Sequence, residues 1–221
     1  MKETKSNWAC VADAMKDHPE ITLGRYASYW AFKSPRRLLH SLSYYKFAAK
    51  VIGAKKRVLD IGCNEGLGTW VISKECGFAK GIDFDSEAIH TAQRNFQNSQ
   101  VEFVNEDILN SEVKSNWDAI VSFDVIEHIY PSHAELFFEA LKENVSDEGL
   151  VIIGTPSLIS QQFASDISKK GHVNVYTPEK LEETLRKHFE FVFLFAATDE
   201  VVHTGYLPLA HYLIGIGSKK K

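Results

Sequence analysis

A glycine-containing segment at residues 60–69 has the residue types and spacing to hold a nucleotide. Gly62, Asn64 and Gly66 stand two residues apart directly after an apolar run, and glycine and asparagine adopt positive φ angles more readily than other residues. A loop of this kind lets a ligand approach the backbone closely. Asp83 follows 21 residues after Gly62, a distance suited to a carboxylate that accepts hydrogen bonds from both hydroxyls of a ribose. The spacing therefore predicts a ligand that contains a nucleoside.

The same segment does not match the dinucleotide fingerprint. That pattern requires G-x-G-x-x-G beginning at Gly62, whereas positions 64 and 67 are Asn and Leu. A doubly wound nucleotide-binding domain of another kind remains an alternative, and it would also bind its ligand at the carboxyl ends of the strands.

The elements that position this loop are short apolar runs that alternate with helical segments after Arg57. The runs RVLDI, AKGID, VEFV, DAIVSF and LVIIG are predicted to be strands, and the segments between most of them have helical periodicity. A later helix is predicted in TPEKLEETLRKHF, with Thr177 as N-cap and Pro178 at its first position. Two apolar segments, FEFVFLF and LAHYLIGIG, complete the chain. Strands separated by helices indicate an α/β fold with a parallel sheet that is covered on both faces.

The residues before the sheet are predicted to form a basic helical cap. Residues 35–53 have apolar side chains at helical spacing, with Pro35 near the start and Gly53 at the end, and one or two further helices are expected before them. Residues 1–57 contain twelve Lys or Arg and four Asp or Glu, although the whole chain has a net charge of −4. A cap with this charge could favour an anionic molecule in a pocket below it, or its lysines could lie on solvated helix faces. We predict a helical cap at residues 1–54 that acts as a lid and a second domain at 55–221.

The composition excludes several classes of protein. With 221 residues, 44% hydrophobic and 24% charged, the chain fits a compact domain and neither a disordered nor a collagen-like protein. No run of about 18 apolar residues exists, and the first residues lack a signal-peptide core, so membrane insertion is not expected. Three cysteines without metal-finger spacing fit a reducing compartment, and we expect a cytoplasmic protein. The acidic total gives no general attraction to nucleic acid.

The pattern D-x-G-x-N-x-G at residues 60–66 resembles motif I of class I S-adenosylmethionine-dependent methyltransferases, whose commoner form has glycine in place of Asn64. Acidic residues with apolar neighbours then end the next three strands, in the order of that family. The resemblance covers roughly residues 55–217 and implies a Rossmann-like seven-stranded sheet of order 3-2-1-4-5-7-6, with the last strand antiparallel and helices on both faces. It implies S-adenosyl-L-methionine as cofactor. The cofactor-binding residues that follow from it are Asp60, Gly62, Cys63, Asn64, Gly66, Asp83, Phe84, Asp107, Ile108, Phe123 and Asp124.

Asp124, Glu127 and His128 form a D-x-x-E-H segment just beyond the fourth strand. It is similar to the E-x-x-E-H of ubiquinone-biosynthesis O-methyltransferases and of small-RNA 2′-O-methyltransferases, in which two acids, this histidine and sometimes a later histidine hold a divalent metal. His172 could be the later histidine here. The resemblance thus implies that these four residues bind Mg²⁺ or Mn²⁺, and an ion there could lower the pKa of an acceptor oxygen. Related enzymes carry the same E-H pair without metal, with the glutamate ordering the loop and the histidine as general base or pocket wall.

We therefore expect methyl transfer to a small polar or anionic metabolite, at oxygen in preference to nitrogen, with His128, Glu127 and His172 as the catalytic residues. Tyr45 and Arg37 of the helical cap, and His203 near the junction of the last two strands, are predicted to contact the acceptor. Two alternatives stay open, an RNA 2′-O-methyltransferase and a non-catalytic subunit that binds an adenosyl ligand. The oligomeric state is not predicted.

Overall fold

The computed structural model describes residues 2–110 and 115–221. Its helices are α1 (Lys2–Met15), α2 (Arg25–Lys33), α3 (Pro35–Ile52), α4 (Leu67–Ser73), α5 (Ser86–Phe96), α6 (Pro131–Asn144), α7 (Asp166–Gly171) and α8 (Pro178–His188). Its strands are β1 (Arg57–Ile61), β2 (Phe78–Asp83), β3 (Val101–Asn105), β4 (Trp117–Phe123), β5 (Val145–Pro156), β6 (Phe189–Ala197), β7 (Val202–His203) and β8 (Tyr212–Lys220). Short 3₁₀ turns lie at Ile126–His128, Leu158–Phe163 and Leu207–Leu209.

All eight strands form one mixed sheet of order β3-β2-β1-β4-β5-β8-β6-β7. Strands β1 to β5 pair in parallel, whereas β8 is antiparallel to both of its neighbours, β5 and β6. The predicted α/β fold and strand order are confirmed, except that the sheet has eight strands instead of seven. The additional strand, β7, is a two-residue edge strand that pairs with the end of β6, too short to be recognised from apolar periodicity.

Helices cover both faces of the sheet because neighbouring residues of a strand point to opposite sides. Val58 of β1 belongs to the apolar cluster that includes α3, whereas Leu59 belongs to the cluster that includes α6 and α8. The parallel register brings the ends of the strands level, with Ile61 beside Ile82 and Asp83 beside residue 105. The loops after β1, β2, β3 and β4 therefore meet at one edge of the sheet.

Helix α3 packs on the sheet through only part of the apolar face that its spacing predicts. Of the apolar residues at helical spacing, Tyr45 is buried, whereas Leu39 and Val51 are 59% and 39% exposed. The buried residues are Tyr44, Tyr45, Ala48, Ala49 and Ile52. The small alanines let the helix backbone approach the sheet closely, which apolar periodicity alone does not reveal. The helix ends as predicted before Gly53, whose φ is +77°.

The described side chains of α1 are all exposed, so α2 and α3 are the parts of the predicted cap that pack against the rest of the chain. The division into a cap at residues 1–54 and a domain at 55–221 stays a prediction. Among the described residues, no helix is both long enough and apolar enough to cross a bilayer.

Candidate functional site

The loop between β1 and α4 has the backbone conformation that its residue types predicted. The φ angles are +76° at Gly62, +50° at Asn64 and +82° at Gly66. A Cβ atom on Gly62 would lie 2.2 Å from the Val125 side chain, and one on Gly66 would lie 2.7 Å from the Ala92 Cβ. These glycines are therefore required by packing within the protein as well as by the turn itself.

Asp83 connects this loop with the end of β2. Its Oδ2 accepts a hydrogen bond from the Asn64 backbone N–H at 2.9 Å, and its Oδ1 accepts one from the Asp85 backbone N–H at 2.9 Å. Each carboxylate oxygen has a second lone pair, so the group can accept further donors from a ligand. The half-buried Asp83 lines the cavity described next.

A cavity of about 860 Å³ opens at the carboxyl ends of the parallel strands. This volume lies within the range of small-molecule sites. The cavity is lined by ten of the eleven residues that the family resemblance assigned to the cofactor: Gly62, Cys63, Asn64, Gly66, Asp83, Phe84, Asp107, Ile108, Phe123 and Asp124. The Phe84 side chain is 79% exposed and, with Ile108, supplies apolar surface to one end of the cavity.

Asp60 is the exception, because it is fully buried behind the loop and does not line the cavity. Its two carboxylate oxygens accept hydrogen bonds from the Tyr45 hydroxyl at 3.3 Å and the Thr69 hydroxyl at 2.6 Å. Burial raises the pKa of Asp60 to about 7, although both hydroxyls oppose this rise. The position of Asp60 thus does not support direct contact with the cofactor. Its hydrogen bonds instead join α3 and α4 beneath the loop.

His128 and His172 line the cavity, and Glu127 lies behind them; we term the three the carboxylate–histidine cluster, in which one ligand atom of each lies within 4.8 Å of the others. Glu127 is fully buried. Its Oε2 accepts a hydrogen bond from the Thr155 hydroxyl at 3.0 Å, whereas its Oε1 has no hydrogen-bond partner among the described residues. Burial, reinforced by the nearby Asp124 carboxylate, raises the pKa of Glu127 to about 8. An unpartnered buried carboxylate oxygen is costly unless a further group satisfies it.

Both histidines of the cluster are held through the same ring nitrogen. His128 Nδ1 lies 2.9 Å from the Gly171 carbonyl oxygen, and His172 Nδ1 lies 2.7 Å from Gln161 Oε1. Since carbonyl oxygens only accept, each Nδ1 is assigned a proton, and in the neutral ring each Nε2 then has a lone pair. Burial, together with the charges of His128 and Arg37, lowers the pKa of His172 to about 4. His172 is therefore neutral at physiological pH.

Asp124 was predicted as a fourth metal ligand, but it lies outside the group of ligand atoms that converge. It has a positive φ of 56° and lines the same cavity. Burial raises the pKa of Asp124, and the Arg37 guanidinium and the Tyr212 hydroxyl act against that rise. The aspartate has one methylene fewer than the glutamate of the E-x-x-E-H pattern, which shortens its reach.

Two of the three predicted acceptor contacts line the cavity. Arg37 stacks over the Trp30 ring, with its guanidinium carbon 4.0 Å from the ring centroid, and Tyr45 lies near the loop. His203 does not line the cavity. It lies on β7, where its Nδ1 accepts the Gly205 backbone N–H at 3.0 Å. The expected acceptor contact by His203 is thus not supported, because its ring bonds to the backbone of the segment that follows β7.

Three residues that sequence reasoning did not select support the site. Trp30 lines the cavity and stacks with Arg37, and Gln161 orients His172. Glu65, inside the glycine-containing loop, lines the cavity and bonds to the start of α2. No spacing rule points to them, because the partner of each lies on a different element of the fold.

Comparison with known proteins matches residues 28–191 to a protein-family model described as a methyltransferase domain. The mitochondrial ubiquinone biosynthesis O-methyltransferase of Schizosaccharomyces pombe is 23% identical over 171 residues, which cover 69% of this chain and 62% of that protein. The chain thus aligns with less than two thirds of the length of that curated relative.

Solved structures share the fold. A TehB-like S-adenosylmethionine-dependent methyltransferase from Corynebacterium glutamicum has a TM-score of 0.66 at 18% identity, covering 89% of this chain and all (100%) of that one. The N-methyltransferase NodS from Bradyrhizobium japonicum, solved with S-adenosyl-L-homocysteine, has a TM-score of 0.62 at 18% identity, covering 86% of this chain and 91% of that one.

Proposed function

This chain belongs to the methyltransferase domain family, and we propose that the enzyme, an S-adenosylmethionine-dependent methyltransferase, methylates an oxygen of a small polar or anionic metabolite with the help of a divalent metal ion. The observation that carries this proposal is the convergence of Glu127, His128 and His172 at the wall of the cavity that Arg37 and the glycine loop also line.

The cofactor-binding part of the proposal rests on the cavity wall. S-adenosylmethionine supplies a methyl group bound to a positively charged sulfur. Asp83 has free acceptor capacity for the two ribose hydroxyls, and Phe84 and Ile108 provide apolar surface for the adenine ring. The open backbone of Gly62 and Asn64 leaves room for the amino-acid part of the cofactor. Together these residues would hold the methyl group in a fixed direction, which is the main requirement of an in-line transfer.

The carboxylate–histidine cluster fits a metal ion in three respects. Glu127 Oε1 is buried and unpartnered, each histidine has a lone pair on Nε2, and each Nδ1 bonds to a carbonyl oxygen. A carbonyl partner on the second ring nitrogen is the usual arrangement around metal-binding histidines. Two imidazoles and one carboxylate suit Mn²⁺ better than Mg²⁺, because Mg²⁺ prefers oxygen ligands. A bound divalent ion would lower the pKa of an acceptor hydroxyl.

The oxygen preference rests on the need for proton removal. A hydroxyl is a poor nucleophile until its proton leaves, and the neutral ring of His128, with Nδ1 bonded to the Gly171 carbonyl, would offer Nε2 as an acceptor at the cavity surface. Arg37 adds a positive charge to the same cavity and is held over Trp30, so an acceptor with a carboxylate or phosphate group would be favoured. We also propose that the helical cap at residues 1–54 acts as a lid, since α2 and α3 supply these two side chains.

The metal is tested by titrating chelator-treated protein with MnCl₂ in a calorimeter, with S-adenosylhomocysteine present. We expect saturable binding that weakens at least about tenfold in His172→Ala. His133→Ala is the matched control, because this histidine lines the same cavity but is outside the cluster. Absence of Mn²⁺ binding, or equal binding by His172→Ala and the wild type, would refute the metal assignment.

The acceptor is tested with methyl-¹³C-labelled S-adenosylmethionine and a panel of hydroxylated, carboxylated, phosphorylated and amine-bearing metabolites. Methoxy and N-methyl products give separate carbon resonances, so one spectrum reports the methylated atom. We expect methoxy products from anionic hydroxylated acceptors. Only N-methyl products, or methylation of an oligonucleotide alone in a parallel reaction, would contradict the proposal.

A further inference from the structure

Glu65 bonds the cofactor loop to the start of helix α2. The residue lies between β1 and α4 and is only 5% exposed. Its Oε1 accepts the Tyr26 backbone N–H at 2.8 Å, and its Oε2 accepts the Ala27 backbone N–H at 2.8 Å. These two N–H groups belong to the first turn of α2, whose own N-cap residue, Gly24, makes no side-chain cap. A side chain 38 residues away therefore caps the helix.

The glycine at the N-cap is needed for this contact. A Cβ atom on Gly24 would lie 2.1 Å from Glu65 Oε1. Any larger residue would push the carboxylate away from the N–H groups that it accepts. Gly24 and Glu65 thus form a matched pair, which we term the clasp.

The side-chain bonds from α2 to the region around the start of α5 are exposed. Arg25 pairs with Glu87 of α5, and the Tyr26 hydroxyl donates to Asp85 Oδ2 at 3.0 Å. Exposed ion pairs contribute little to stability, because water screens the charges. The buried carboxylate of Glu65, which accepts two backbone N–H groups at a helix N-terminus, is the stronger connection.

Helix α2 forms a wall of the cofactor cavity. Tyr26, Ala27 and Trp30 line it together with the glycine loop and Asp83. A cofactor that occupies this cavity would contact both the glycine loop and α2, so an outward movement of α2 would widen its path of entry and exit. Because Glu65 belongs to the loop and caps the helix, the clasp resists this movement.

We propose that Glu65 is a positioning residue that holds α2 closed over the cofactor and thereby sets the rate at which S-adenosylmethionine enters and S-adenosylhomocysteine leaves. This inference rests on the proposed cofactor site. It assigns to Glu65 a kinetic role that is separate from contact with the ligand, since the carboxylate is occupied by α2.

The test measures the association and dissociation rates of S-adenosylhomocysteine by stopped-flow fluorescence. In Glu65→Gln an amide NH₂ replaces one of the two acceptors, so an N–H of α2 loses its partner. We expect both rates to rise, the dissociation rate roughly tenfold or more, with a smaller change in Kd. Glu87→Gln is the matched control, because it breaks only the exposed ion pair, and its rates should stay near those of the wild type.

Gly24→Ala tests the same contact from the other side. This substitution keeps the residues of the glycine loop, Glu65 included, but its added methyl group displaces the Glu65 carboxylate from α2. It should therefore accelerate both rates as Glu65→Gln does. It also keeps the test valid if the Glu65 variant fails to fold.

Two outcomes would count against the clasp, and a third against the site on which it depends. Unchanged rates in both folded variants would overturn it. A faster dissociation with an unchanged association rate would overturn the lid role, because that result describes a lost ligand contact. Failure of the wild type to bind S-adenosylhomocysteine would instead refute the proposed cofactor site on which the clasp depends.

Discussion

Replacement of Asp83 by alanine should weaken cofactor binding while the fold persists. The carboxylate accepts backbone N–H groups of Asn64 and Asp85 at 2.9 Å each, and its remaining lone pairs face the cavity. Hydrogen bonds to a charged acceptor contribute about 1.5 to 3 kcal/mol, of which part is recovered by water that enters the space left by the side chain. We therefore expect a loss of about 1 to 3 kcal/mol in the binding of S-adenosylhomocysteine, which corresponds to a roughly 5- to 150-fold higher Kd.

Isothermal titration calorimetry with S-adenosylhomocysteine measures this loss. Asp118→Ala is the matched control, because its carboxylate also accepts a backbone N–H, that of Arg57 at 2.7 Å, but lies at the opposite end of β1. Its Kd should equal that of the wild type. A folded Asp83→Ala protein with a Kd within about twofold of the wild type would refute the assignment of Asp83 to the ribose. Binding of a nicotinamide or flavin compound in place of S-adenosylhomocysteine would refute the site as a whole.

Three further predictions concern chemistry and stability. His128→Ala should leave the Kd for S-adenosylhomocysteine nearly unchanged and lower the turnover of any acceptor that the labelled-methyl assay identifies. Gly66→Ala should cost about 2 to 5 kcal/mol in urea unfolding, because a left-handed φ of 82° is combined with a Cβ 2.7 Å from the Ala92 Cβ. Asp60→Asn should flatten the fall in stability with rising pH. The folded-state pKa of about 7 exceeds the unfolded value of about 3.8, so the folded wild type binds more protons between these values and loses up to about 1.4 kcal/mol per pH unit across this window.

Each of these predictions has a result that contradicts it. Loss of cofactor binding in His128→Ala would mean that binding and proton transfer have been assigned to the wrong residues. A cost below about 1 kcal/mol in Gly66→Ala would mean that the loop relaxes around the added methyl group. For Asp60 the control is Asp147→Asn, an exposed aspartate, and equal pH slopes in the two variants would show that burial of Asp60 does not carry the effect.

The helices and strands of the fold were predictable because the sequence patterns that define them are local. Helix α8 begins after Thr177 as predicted, and the Thr177 side chain accepts the Lys180 backbone N–H as an N-cap should. The positive φ angles of the glycine loop also follow from residue type alone. The buried face of α3 was predicted only in part, because its contact also depends on Ala48 and Ala49, which have little hydrophobic signal.

The site was predictable only in part. Glu127, His128 and His172 were selected by a resemblance between short motifs, and the structure brings them together. Asp60 and His203 were placed in the ligand site as well, yet one is buried behind the loop and the other lies on an edge strand. The place of a residue in a motif indicates the strand end near which it lies. The direction of its side chain, however, depends on the residues that pack around it.

By itself, the sequence determined the α/β class, the order of strands and helices, and the edge of the sheet where a nucleoside would bind, because backbone propensity and apolar periodicity act over a few residues. Only the tertiary structure decided that Glu65 caps α2, that Glu127 keeps one carboxylate oxygen unpartnered, and that Arg37 reaches the cofactor cavity. These arrangements bring together residues that are far apart in the chain, and burial raises the pKa of Glu127. No local rule contains that information, because it arises when separate elements pack together.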